Sequence, residues 1–169
     1  MRNRRVIWAV LMTAALFLIL PLESCGTDNT SKDEKYYHEL GLKLYYDGFY
    51  ELLPKGKVAE AKQKFEQAAD AFKEAVLIND KFIDSHKYLA KIYAMQENYL
   101  KAIDEHLKVI ELDPDNLDNY LLLASVYVRT KRFNEAEKVM EHAKTKTKDP
   151  MAIQRVNELI KNIREKSLK

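Results

Sequence analysis

Residues 83–116 and residues 117–150 are two copies of one 34-residue unit. Laid over each other, they put Leu89 on Leu123, Ala90 on Ala124, Tyr93 on Tyr127 and Ala102 on Ala136, with Ile92/Val126, Tyr99/Phe133 and His86/Tyr120 as similar pairs. A unit this short cannot bury its apolar face alone. It is stable only when stacked on neighbours, so the period predicts an array rather than a globule around one centre. The chain of 169 residues holds only 4 Gly and 4 Pro, too few for a turn-rich β-sandwich or a collagen-like or low-complexity chain.

Inside the unit, the apolar spacing is helical. Leu89, Ile92 and Tyr93, with His86 a turn earlier, form one stripe; Tyr99, Ile103, His106 and Ile110 continue it on a second helix. Ala90 and Ala102 are small where helix backbones must approach closely. Asp113-Pro114-Asp115-Asn116 stops the second helix. The next unit repeats this with Tyr120, Leu123, Ala124, Tyr127, Phe133, Ala136, Met140 and Ala143, and its Asp149-Pro150 terminator comes two residues late. Residues 34–82 read as an earlier unit. Tyr37, Leu40, Gly41 and Leu44 fill the first-helix slots, and Ala68, Phe72 and Ala75 the second. Between Leu40 and Ala68 lie 15 residues more than the period allows. Residues 57–65 account for part of the excess, as an N-terminal extension of the second helix. The rest reads as a loop over residues 47–56. Residues 151–169 carry Ile153, Val156, Leu159, Ile160 and Ile163 on one face and charges on the other, the form of a terminal capping helix.

The 34-residue length, with its aromatic, Leu-small, Tyr and Ala-x₃-large slots, resembles the tetratricopeptide repeat family. The resemblance implies an all-α, right-handed helix-turn-helix solenoid of about three repeats plus the cap, working as a protein-binding scaffold rather than an enzyme.

Residues 1–24 have a different character. Arg2, Arg4 and Arg5 precede an uncharged run from Val6 to Leu20, a pattern that predicts a secretory signal peptide. The Leu22-Glu23-Ser24-Cys25 stretch that follows resembles the lipobox of bacterial lipoproteins, with Glu23 departing from the usual small or apolar residue. That resemblance implies cleavage before Cys25 and acylation of Cys25, which anchors the chain to a membrane of the cell envelope, on its periplasmic or outer-surface side. Acyl chains contribute about 0.8 kcal/mol per buried CH₂. Residues 25–33 would then be a polar tether. Removing residues 1–24 leaves 25 basic and 25 acidic side chains, from 28 and 26 in the whole chain, so no charge-driven partner such as nucleic acid is expected.

The search for chemistry returns no catalytic constellation. The single cysteine rules out an intrachain disulfide or a Cys-rich zinc site. No two of His38, His86, His106 and His142 fall at metal-ligand spacing, so neither a metal nor a cofactor is expected. His86 and His106 occupy stripe slots and read as packed core histidines. Carboxylates alternate with lysines on outer faces, as solvated surface does.

Binding is where the resemblance is informative. In the family, first-helix residues off the core stripe build the binding groove. Here these are His38, Leu42 and Tyr45, then Lys87, Lys91 and Ala94, then Leu121, Ser125 and Val128. Family members that clamp a C-terminal carboxylate use Lys and Asn; here Lys91 stands in an Asn slot, and Leu121 and Ser125 add no cation. An extended or helical protein segment suits this groove better. The insertion offers an alternative site at Phe49 and Tyr50, since Tyr45-Tyr46-Asp47-Gly48-Phe49-Tyr50 packs four aromatics into six residues. They either fold back on the first repeat or form a partner patch. The expectation is a membrane-anchored scaffold for another envelope protein or peptide segment, in secretion, pilus or cell-wall assembly. The alternative is an accessory subunit held permanently in a larger envelope enzyme or electron-transfer complex.

Overall fold

The computed structural model describes residues 32–168. The signal segment, Cys25 and the tether up to residue 31 lie outside the described residues.

Among the described residues, seven α-helices follow one another: α1 (Glu34–Tyr46), α2 (Val58–Ile78), α3 (Ile83–Met95), α4 (Tyr99–Leu112), α5 (Leu117–Arg129), α6 (Phe133–Thr145) and α7 (Pro150–Ser167). They pack as the pairs α1/α2, α3/α4 and α5/α6, each pair against the next, with α7 on α6. Among the described residues there is no strand.

The period is written into the backbone as well as the side chains. At the end of α3, the Asn98 N–H donates to the Tyr93 carbonyl at 2.8 Å; 34 residues on, Arg132 N–H donates to Tyr127 at 2.8 Å. The residues just before these donors, Glu97 and Lys131, take positive φ values of 60° and 58°. At the second-helix ends, Asn79 N–H donates to Ala75 at 3.0 Å and Asp113 N–H to Val109 at 2.9 Å. The register therefore holds from the first repeat to the third.

The core is a row of equivalent slots. Ala68, Ala102 and Ala136 are fully buried, as small residues at close helix crossings must be. Leu89 and Leu123 sit in one slot, with Phe72, His106 and Met140 in another, all buried. Full burial of such an apolar side chain stabilises by about 1.5–3 kcal/mol. Ser85 and Asn119 share a buried polar slot that the apolar pattern does not mark.

The insertion differs from the expected loop. Residues Asp47–Leu52 continue α1 as a π-helical stretch, and Leu53–Lys55 form a 3₁₀ turn closed by Gly56 at φ 72°. Gly48 makes this continuation possible, because a Cβ there would lie 2.8 Å from the Phe65 ring. With no side chain at 48, the lengthened α1 stays in contact with the lengthened α2. Gly41 is similar: a Cβ at that position would meet Phe72 at 2.7 Å, whereas the equivalent slots hold Ala90 and Ala124.

Asp149-Pro150 does more than stop α6, which has already ended at Thr145. Asp149 caps α7 by accepting from Met151 N–H at 3.1 Å and Ala152 N–H at 3.3 Å, and Pro150 opens the helix, where its missing N–H costs nothing. Val156, Ile160 and Ile163 turn inward, and Arg164 reaches Glu137 on α6 at 2.5 Å. Leu159, expected in the cap's apolar stripe, is instead partly open.

Candidate functional site

The first helices α1, α3 and α5 carry the nine expected groove residues in matching slots. His38, Lys87 and Leu121 are equivalent, as are Leu42, Lys91 and Ser125, and Tyr45, Ala94 and Val128. All nine are half-buried or exposed, while their neighbours Gly41, Ala90 and Ala124 are buried. The helical turn thus separates a packed stripe from an adjoining open one.

At the α1 end, the open stripe is aromatic. Tyr88 on α3 stands at its centre, stacked on Phe72 at 5.0 Å and edge-on to Tyr45 at 5.2 Å. Its hydroxyl shares a 2.9 Å hydrogen bond with that of Tyr46. Burial, with the Tyr46 hydrogen bond second, holds the Tyr88 phenol well above its ordinary pKa, so it stays protonated. Lys91 lies over the Tyr88 ring at 4.8 Å, a cation–π contact. Lys87 pairs with Asp84 at 3.7 Å on its own helix.

His38 is more a rivet than an open groove residue. Its Nδ1 shares a 2.9 Å hydrogen bond with Ser85 Oγ, and its ring packs edge-on to Phe82 at 4.9 Å. Burial lowers its pKa despite the charges of Asp84 and Glu39.

The alternative site at Phe49 and Tyr50 proves continuous with the groove. Phe49 stacks on Tyr45 at 5.8 Å, Tyr50 packs on Tyr46 at 5.6 Å, and Tyr45 is anchored on Phe65 at 5.6 Å. Tyr45 belongs to both candidate sites. Phe49 and Tyr50 remain 40% and 62% exposed, so the aromatics are rooted in the first repeat without being covered by it. Behind them, Leu53, Val58, Phe65 and Met95 border a cleft of about 730 Å³.

At the other end, Leu121, Ser125 and Val128 face α7. With Met140, Leu159 and Ile163 they line a half-open apolar pocket of about 190 Å³, edged by Asn162 and Lys166. The Ser125 hydroxyl donates to the Leu122 carbonyl at 2.7 Å, so it is spent on its own helix. The capping helix is therefore also a wall of the groove. The position of Leu159 on the edge of the α7 stripe was the one signal for it.

The two histidines in stripe slots are packed, and their pKa values shift in opposite directions. His86 Nδ1 meets Glu105 Oε2 at 2.6 Å and its Nε2 meets the Asp80 carbonyl at 3.0 Å. The backbone carbonyl can only accept, so Nε2 donates to it, and a second proton on Nδ1 would be met by the Glu105 carboxylate. Burial alone would lower its pKa; the Glu105 hydrogen bond, the Asp80 carbonyl and the Glu105 charge outweigh burial and raise it. Tyr120, 34 residues on, donates to the Pro114 carbonyl at 2.7 Å, the equivalent of Asp80. His106 is pushed down to about 4, chiefly by burial, with Glu105 opposing and Lys91 assisting, and is neutral near pH 7. Among the described residues no group of three His, Cys, Asp or Glu is placed to hold a metal, and no helix is long and apolar enough to cross a membrane.

Comparison with known proteins agrees with this architecture. A tetratricopeptide repeat family model matches residues 95–156. A curated relative, the UDP-N-acetylglucosamine–peptide N-acetylglucosaminyltransferase of Giardia intestinalis, is 32% identical over 72 residues. That match takes in 43% of this chain but only 5% of the relative, so the chain spans about a twentieth of that protein's length. Among solved structures, the TPR2B domain of yeast Sti1 in its pHsp70 complex superposes with a TM-score of 0.53 at 18% identity, covering 75% of this chain and 98% of that one. The type III secretion translocator chaperone SycD of Yersinia enterocolitica superposes with a TM-score of 0.53 at 16% identity, covering 76% and 92%. The chain thus carries tetratricopeptide repeat sequence over residues 95–156 and folds from α1 to α7 as an all-helical solenoid of that kind.

Proposed function

We propose that the protein is a lipid-anchored, non-catalytic scaffold of the bacterial cell envelope. In this reading it holds a segment of another protein across the face of α1, α3, α5 and α7, within a secretion, pilus or cell-wall assembly. One observation carries the groove: of nine slot-equivalent side chains on three successive first helices, all but the pinned His38 stay at least partly open while residues beside them are buried. Helical solenoids bind along such repeated faces, where each repeat contributes equivalent positions to one continuous surface. The Sti1 domain, whose structure is a complex with pHsp70, supports binding of a polypeptide as the work of the fold. The anchor rests on Leu22 and Cys25 at the end of the apolar run.

Photo-crosslinking in intact cells tests the scaffold. A photoreactive residue at Lys91 or Val128 should yield one discrete protein adduct, and one at Leu100, 72% exposed on the second-helix side, should not. Equal adducts from both sides would refute the groove. For the anchor, Cys25→Ala should leave a larger, unacylated precursor whose detergent partitioning is shifted; unchanged processing and partitioning would refute lipidation.

A further inference from the structure

The aromatic end of the open face has a composition of its own. Tyr45, Tyr46, Phe49, Tyr50 and Tyr88 form an unbroken chain of ring contacts, rooted in the core through Phe65 and Phe72. Tyr46, Phe49 and Tyr50 are each at least 40% exposed. Three neighbouring rings held open by a packed base are unusual on a soluble surface and mark a contact site. They are also rigid, so little side-chain freedom is lost when something lands on them. The π-helical stretch Asp47–Leu52 is what carries Phe49 and Tyr50, and such stretches are common at functional sites.

Two further features define the occupant. The Tyr46–Tyr88 hydroxyl pair uses one proton in its mutual hydrogen bond, which leaves the other hydroxyl proton to donate to an acceptor such as a peptide carbonyl. Beside that pair, Lys91 has only the Tyr88 ring as a partner; among the described residues no carboxylate lies within ion-pair distance of its ammonium. Lys87, one turn earlier, meets Asp84 at 3.7 Å. The cationic edge therefore has room for one carboxylate. From Lys91 to Tyr88, Tyr45 and Phe49 the steps are 4.8, 5.2 and 5.8 Å, so the charge and the far ring lie within about 16 Å. That is about five residues of extended chain.

Building on the groove reading, we propose that this shelf takes a short acidic stretch of another polypeptide. Its carboxylate meets Lys91, an apolar or aromatic side chain no more than about five residues away lies on Tyr46, Phe49 and Tyr50, and a backbone carbonyl accepts from the hydroxyl pair. An uncharged glycan would use the rings and the hydroxyls but would leave Lys91 without a partner, so charge complementarity favours the polypeptide.

The test uses the full chain in detergent micelles and a fluorescein-labelled 12-residue Gly/Ser peptide carrying Glu-Glu three residues from Trp-Leu. Fluorescence anisotropy should show binding at least tenfold tighter than for the Gln-Gln version of the peptide. Lys91→Glu should weaken the Glu-Glu peptide at least tenfold and restore binding to a Lys-Lys version, a reversal that misfolding cannot produce. Tyr50→Ser, at the most exposed ring, should weaken binding several-fold with an unchanged helical circular-dichroism spectrum. Equal binding of the Glu-Glu and Gln-Gln peptides would overturn the proposal. So would backbone amide shifts confined to Leu121, Ser125 and Val128, which would place the segment at the α7 end and leave the groove reading intact. An N-acetylglucosamine hexasaccharide that shifts Tyr46 and Tyr88 when the peptide does not would overturn it in favour of a glycan. Shifts nowhere on the α1, α3 and α5 face would defeat both readings.

Discussion

Repeats two and three share a register, a turn and a hydrogen-bond pattern, yet the second puts imidazoles into buried slots that the third fills without them. In the third repeat the buried slots hold Tyr120 and Met140; in the second the same slots hold His86 and His106. Tyr120 donates to Pro114 at 2.7 Å and His86 to Asp80 at 3.0 Å, so the geometry is conserved while the chemistry changes. Shape and hydrogen-bond direction are therefore what a slot demands, and ionisability is an extra property it tolerates. The two histidines add opposite pH dependences to one repeat.

The largest expected effect comes from His106. Its pKa falls from the ordinary 6.5 to about 4 in the fold, so the folded state favours the neutral ring. A depressed base stabilises the fold at pH above its unfolded value; that contribution drains away as pH falls from 6.5 towards 4. At about 1.4 kcal/mol per pKa unit, the loss is about 3 kcal/mol at most. His106→Met installs the third repeat's residue in the second. In urea melts between pH 7 and pH 4, this variant should lose less stability than the parent chain. Parallel pH profiles would show that His106 is not the acid-sensitive group.

Ala90 and Ala124 ask whether the repeats are packed as alike as they are patterned. Both are buried beside a facing helix. Replacing either with Leu should destabilise by about 1–3 kcal/mol through overpacking. The two thermal melts should shift together, whereas Leu122→Ala, at a site 38% exposed, should matter far less. A large shift at Ala90 alone would mean the array tightens toward its centre.

His86 provides a smaller effect of opposite sign. Its folded pKa lies above the ordinary value, with Glu105 and the Asp80 carbonyl overriding burial. Its stabilisation is complete below pH 6.5 and is lost as pH rises through the raised folded value. His86→Tyr keeps a donor for Asp80 and gives up the charge, and Glu105 is open enough to turn to water. As pH rises above the ordinary 6.5, the variant should lose less stability than the parent chain. A decline of equal size in both would place the titrating group elsewhere.

These contrasts explain how far the sequence could be read. The array, its register and most of its core were legible because a slot must be refilled in every repeat, and Leu89/Leu123 or Ala102/Ala136 occur twice. The continuation of α1 over Asp47–Leu52 was not, because it depends on one contact between Gly48 and Phe65 that no period repeats. Ser85 and Asn119 escaped because their partners, His38 and the Asp113 carbonyl, are 47 and 6 residues away, and polarity gives no apolar signal. Of the groove residues, the placement on α1, α3 and α5 followed from the helical turn. Tyr88 did not, since its neighbours Lys87 and Leu89 already filled an open and a buried slot. Its role emerges only when α1 brings Tyr45 and Tyr46 against it. The α7 wall was hidden for the same reason: Leu159 fits a capping stripe until α5 is seen opposite.

The smallest expected effect lies in the turns between the helices of each repeat, where the two repeats should be indistinguishable. Glu97 and Lys131 hold φ values of 60° and 58°, the left-handed region that crowds a Cβ against its own backbone. Glycine adopts this conformation without that clash but brings more freedom to the unfolded chain, so the two effects partly cancel. Glu97→Gly and Lys131→Gly should each stabilise by about 0.5 kcal/mol, read as equal shifts in urea midpoint with an unchanged slope. Both residues are exposed or nearly so, and neither makes a side-chain hydrogen bond among the described residues, so the backbone term dominates. The Asn98 and Arg132 hydrogen bonds that close each turn run from the following residue and are untouched by the change. Unequal gains would mean that the surroundings of the turn, rather than its shared backbone geometry, set its stability. The likeness between the repeats would then stop at the helices.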